Sequence, residues 1–138
     1  MRVLVTGSRN WVDRDAIKAE MVKVMGTTAP QEMILVSGAQ RSWDRMAQVF
    51  YGADYLAEQV AEDLGWIIEQ YPADWDTHGR AAGPIRNAVM VKTGADVCLA
   101  FPMTGSRGTI DCMRRAKVAR IPVIVRTPAM TVGVPWEG

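Results

Sequence analysis

The chain has 138 residues, of which 49% are hydrophobic and 22% charged, the balance of one soluble globular domain rather than of a disordered or fibrous chain. A chain of this size buries roughly two-thirds of its unfolded surface on folding, so no disulfide or structural metal is needed. Sixteen Lys and Arg against fifteen Asp and Glu leave a net charge of +1, which argues against nucleic acid or an anionic membrane as a partner and leaves room for a local anion site.

Cys98 and Cys112 have no partner at a metal-like spacing, and His78 is the single histidine. No zinc constellation can be assembled from His and Cys, so no metal and no cofactor is expected, and both thiols read as buried side chains. The chain opens directly on a strand-like run, without a signal-like segment and without an apolar stretch of membrane-span length, which predicts a cytoplasmic protein.

In chain order, residues 2–6 form the first β-rich run. Ala16, Ile17, Ala19, Met21, Val22, Val24 and Met25 then recur with a helical period, between a start near Asp13 and a stop near Gly26. A second strand is predicted over 33–37. From 42 to 64 the residues Met46, Val49, Phe50, Ala53, Leu56, Ala57, Val60, Ala61 and Leu64 again follow helical spacing, with Gly65 as a stop. This predicts an unusually long helical crossover with a break allowed at Gly52, since glycine inside a helix costs about 1 kcal/mol against alanine. The crossover carries Trp43, Phe50 and Tyr55, more apolar surface than a small sheet covers, and so predicts a homo-oligomer.

Strands follow at 66–71, 97–101 and 122–126, and helices at 85–92, ending at Gly94, and at 109–120. The segment 71–87 is predicted as a long irregular loop. Strands alternating with helices specify an α/β fold, a single Rossmann-like domain with an about five-stranded parallel sheet flanked by helices. That domain spans 1–127, and 128–138, with Pro128, Gly133 and Pro135, reads as a tail that Trp136 could anchor.

Ligands of open parallel sheets bind at the carboxyl ends of the strands. Four loops fall there. Gly7, Ser8 and Arg9 follow the first strand, where glycine lets amides approach an anion and Ser and Arg donate to phosphate; a plain tight turn is the alternative. Ser37 and Gly38 follow the second. Gly105, Ser106, Arg107, Gly108 and Thr109 lead into the last helix and form an anion cradle from free amides and the helix dipole, unless the glycines only shape the turn and Thr109 only caps it. In the long loop, Arg86 and Asn87 are placed to hold phosphate and to read a ribose or base edge. Asp74 and Asp76 are a possible base pair or simply solvated acids.

Val-Thr-Gly-Ser-Arg at 5–9, Gly52-Ala53-Asp54, Pro72-Ala73-Asp74-Trp75, the run 78–87, and Phe101-Pro102 with Gly105-Ser106-Arg107-Gly108-Thr109 together resemble the YspA-type, cpYpsA-related branch of the SLOG superfamily. Its relatives include the lonely-guy phosphoribohydrolases and the DNA-processing protein DprA. The resemblance implies a Rossmann-like sheet and a pocket for a nucleotide derivative, with Asp54 among its lining residues. About a dozen residues, 40–51, separate Ser37-Gly38-Ala39 from Gly52-Ala53-Asp54, where the family has only a few; a rival gapless alignment puts Asp44-Arg45 at the acidic position. The lonely-guy catalytic glutamate falls where this chain has Cys112, with Asp111 one residue early, about 100° around a helix. The sequence therefore predicts binding or sensing of a nucleotide-derived ligand. N-glycosidic hydrolysis of a nucleoside monophosphate, with Asp111 or Asp74 as the carboxylate, is the alternative, and a DprA-like DNA-associated module is the third.

Overall fold

The computed structural model describes residues 1–128. The predicted tail from 129 on, with its Trp136 anchor, lies outside the described residues. Five parallel strands, β1 (Arg2–Gly7), β2 (Ile34–Ser37), β5 (Ile67–Gln70), β6 (Val97–Phe101) and β7 (Val123–Val125), form one sheet in the order β5-β2-β1-β6-β7. This is the α/β architecture that the alternation of runs specifies.

The period-2 pattern of β1 divides the core. Val3 and Val5 point into one apolar cluster with Leu35, Leu99 and Phe101, under α1 (Arg14–Met25) and α2 (Ala53–Leu64). Leu4 points the other way, into a second cluster with Val36, Met90, Cys98 and Cys112, under α4 (Ala82–Thr93) and α5 (Arg107–Val118). Strands buried on both faces read as near-continuous apolar runs, as Val97–Phe101 does. Asp13 caps α1 by accepting the Ala16 N–H at 3.1 Å, and Gly26 closes it.

Two predicted elements are corrected. Residues 42–51 are not helical: they form an antiparallel hairpin of β3 (Ser42–Asp44) and β4 (Val49–Tyr51), and the helix begins only at Ala53. The hairpin is held by local contacts that helical spacing does not report. Trp43 pairs across the strands with Phe50 at 4.7 Å between ring centroids, and Phe50 in turn meets Tyr55 of α2 at 5.5 Å. Asp44 Oδ1 accepts the Met46 and Ala47 N–H groups and so folds the turn.

The segment 71–87 is likewise not an irregular loop. It contains the short helix α3 (Trp75–His78), a 3-10 turn at Gly79–Ala81 and the start of α4, three residues ahead of the predicted 85. Pro84 is tolerated there because the first turn of a helix leaves its N–H groups unpaired in any case. Similarly α5 starts at Arg107, ahead of the predicted 109.

Candidate functional site: a cleft at the crossover of the sheet

The chain builds outward from β1 to β2 and β5, then crosses back to β6 on the other side. The loops after β1 and β6 therefore diverge to opposite faces and leave a crevice between them. That crevice is a cleft of about 590 Å³, bordered by residues from the β1 loop, α4 and the amino end of α5, together with Gln40, Asp54 and Trp75.

The β1 loop is rigidly held. Ser8 N–H donates to the Phe101 carbonyl at 2.9 Å, and the Ser8 carbonyl accepts from Trp11 at 3.2 Å and from Ala53 at 3.0 Å. Ser8 Oγ accepts the Asn10 N–H at 3.0 Å. Trp11, 1% exposed, anchors the loop by an edge-on contact with Phe101. Gly7 is required by packing: a Cβ there would overlap the Cβ of Ala53 and lie 3.0 Å from Phe101. The glycine thus lets α2 close on the end of β1, and Arg9 is left exposed at the mouth with its guanidinium 5.3 Å from the Trp75 ring.

On the other wall, Gly105, Ser106, Arg107, Gly108 and Thr109 all border the cleft at the amino end of α5. Ser106 Oγ accepts the Met103 N–H at 2.9 Å and does not cap the helix. The amides of the first turn have no carbonyl four residues back within the helix and carry the positive end of its dipole. A Cβ on Gly108 would meet nothing within 4 Å, so this wall is open.

The floor holds Asp54, 8% exposed. Its Oδ2 accepts the Gln40 N–H at 3.1 Å, an approach permitted by Ala39 turning through φ 57; Oδ1 has no hydrogen-bond partner among the described residues. Burial raises its pKa to about 6, against the opposing pull of the Gln40 amide and the Arg86 guanidinium. The hairpin lies between β2 and α2 in the chain, with Asp44 in its turn; of the two candidates for the acidic position, Asp54 borders the cleft and Asp44 does not.

Ser37 and Gly38 do not border the cleft; they support it from behind. Arg86 Nη1 donates to the Gly38 carbonyl and to that of Tyr71 at 3.4 Å, and Nε donates to Asn87 Oδ1 at 3.0 Å. A Cβ on Gly38 would lie 2.5 Å from Arg86 Nη1. Arg86 is therefore half-buried and fastened on two sides rather than the free fork that the sequence suggests, with Nη2 left without a partner among the described residues. Asn87 is buried, and its Nδ2 donates at 3.1 Å both to the Gly108 carbonyl and to Asp111 Oδ2.

Of the two acids proposed for catalysis, Asp111 borders the cleft, half-buried, with its Oδ2 also accepting from Arg115 at 2.9 Å. Asp74 instead caps α3 by accepting the Thr77 N–H at 3.1 Å, is exposed, and does not reach the cleft wall. Cys112, at the glutamate position of the lonely-guy enzymes, points beneath the cleft beside the Thr6 hydroxyl; burial pushes its thiol up to about 11, so it is neutral at physiological pH. Trp75, Arg80 and Gln40 also border the cleft; the sequence placed them in its loops and motifs but assigned none of them a ligand role.

The chain matches the model of the YspA, cpYpsA-related SLOG family over residues 1–50. The Gene 61 protein of Mycobacterium phage D29 is 42% identical to it over 132 residues, an alignment that takes in 89% of this chain and 94% of that protein. The chain belongs to the YspA, cpYpsA-related SLOG family. Within this SLOG domain the matched stretch carries β1, its loop, α1, β2 and most of the hairpin. The Asp54 floor and the Gly105-to-Thr109 wall lie beyond it and stand on their geometry.

Proposed function

We propose that the cleft binds a nucleotide-derived ligand, with its phosphate at the amino end of α5 and its sugar above Asp54. One observation carries the reading: at the place where the strand order reverses, a helix amino terminus, an exposed arginine and a buried carboxylate face the same cleft. The amides of Gly108 and Thr109 and the Arg107 fork suit the oxygens of a phosphate. A carboxylate with one free oxygen suits a ribose diol. The volume is in the range of small-molecule sites. Membership of the SLOG family supports a nucleotide-related role in general.

A second reading is favoured by Asp111, which stands on the α5 wall beside Asn87. In N-glycosidic hydrolysis the C1′–N bond breaks, water adds to C1′ and the base leaves with a proton. A carboxylate at Asp111 would stabilise the cation-like sugar in the transition state. The two readings are separated by titrating nucleotides calorimetrically and assaying the mixture for free base. Binding without base release supports the sensor reading, base release supports the hydrolase, and no heat with any nucleotide refutes both. Arg107→Ala should weaken binding by roughly 1.5–3 kcal/mol, the loss of one charge-assisted contact.

A further inference from the structure

Among the described residues, the ionisable side chains bordering the cleft are four arginines, Arg9, Arg80, Arg86 and Arg107, and two aspartates, Asp54 and Asp111. This surplus of positive charge is local, because the whole chain carries only +1. The two aspartates are already neighbours of cations: Asp54 lies within the field of Arg86 and, less strongly, of Arg9, and Asp111 is paired with Arg115 at 2.9 Å. Arg9, Arg80 and Arg107 are exposed and have no carboxylate partner among the described residues. They come from three separate segments: the β1 loop, the 3-10 turn ahead of α4, and the first residue of α5.

We infer that the ligand carries two linked phosphate groups, as a nucleoside diphosphate or a larger molecule containing that unit does; this rests on the reading of the cleft as a nucleotide site. A phosphate monoester brings a charge of about −1.5 to −2 at neutral pH. The α5 amides and Arg107 are enough to receive it. Arg9 and Arg80, both exposed at the border of the same cleft, would then have no anionic group of the ligand to meet. A second phosphate supplies that anion, and guanidinium forks on separate segments can each grip a different part of an extended diphosphate. Trp75 carries the Arg9 guanidinium over its ring, 5.3 Å from the centroid, and so holds that fork at this end of the cleft.

The test titrates the protein with the 5′-mono- and 5′-diphosphates of adenosine, guanosine, cytidine and uridine, and with inorganic phosphate and pyrophosphate, in the presence of EDTA. For the best base, the diphosphate should bind at least tenfold more tightly than the monophosphate. R9A and R80A should each bring that ratio severalfold closer to one. R114A removes an exposed charge from α5 outside the cleft and should keep the ratio. A ratio near one in the unaltered protein, a ratio that R9A and R80A both leave alone, or an equal loss in R114A overturns the inference while the nucleotide reading stands. If no nucleotide binds, or if pyrophosphate binds as tightly as every nucleoside diphosphate, the nucleotide reading itself falls.

Discussion

Replacing Asp54 by Asn should make the protein more stable at pH 8 and worse at binding. Asp54 is an acid whose native pKa is about 6 against an ordinary 3.8. As pH rises, the unfolded chain releases this proton first, around 3.8, while the folded chain holds it until about 6. The contribution of Asp54 to stability is therefore intact below 3.8, falls between 3.8 and 6, and stays low above 6. The full loss corresponds to about 3 kcal/mol. Asn cannot ionise, and its carbonyl oxygen can still accept the Gln40 N–H. Arg86 loses a nearby negative charge but keeps the Gly38, Tyr71 and Asn87 oxygens as acceptors, so a gain of about 1–3 kcal/mol is expected at pH 8. Near pH 4 the two proteins should be nearly equal. Urea unfolding of both at pH 4 and pH 8 measures the difference, and calorimetry with the best nucleotide should show weaker binding by the variant. A variant that is less stable at pH 8, or a difference that does not change with pH, would show that Asp54 is not a strained acid on the cleft floor.

Gly7→Ala should destabilise the fold by about 1–3 kcal/mol, because the added Cβ runs into Ala53 and Phe101; an unchanged urea midpoint would refute that packing argument. Asp111→Asn removes a half-exposed ion pair with Arg115, so it should cost no more than about 1 kcal/mol in thermal melting. On the sensor reading it leaves no product assay affected, whereas loss of base release by orders of magnitude with binding retained would establish the hydrolase. Light scattering at micromolar concentration should give a dimer mass, and Trp43→Ser, on the exposed hairpin, should shift it towards monomer; a monomer mass for the unaltered chain ends the expectation of self-association.

Local pattern was enough for the sheet and for most of its helices, because a strand buried on both faces and a helix buried on one leave periods in the sequence that packing then enforces. The strands at 97–101 and the cap at Asp13 were legible in this way. So were the glycine-rich turns after β1 and ahead of α5, since glycine is the residue that most readily takes tight turns and positive φ, as Gly105 does at φ 81. The hairpin was not legible. Met46, Val49, Phe50 and Ala53 mimic a helical face, and the cross-strand meeting of Trp43 with Phe50, the packing of Phe50 on Tyr55 of α2 and the Asp44 turn select strands instead. Nor could sequence say that Gly7 serves α2, that Gly38 makes room for Arg86, or that Asp54 is buried where its proton is held to about pH 6. Each of these depends on which residues distant in the chain are pressed together, and burial and electrostatic field are properties of that assembled neighbourhood rather than of any single stretch of chain.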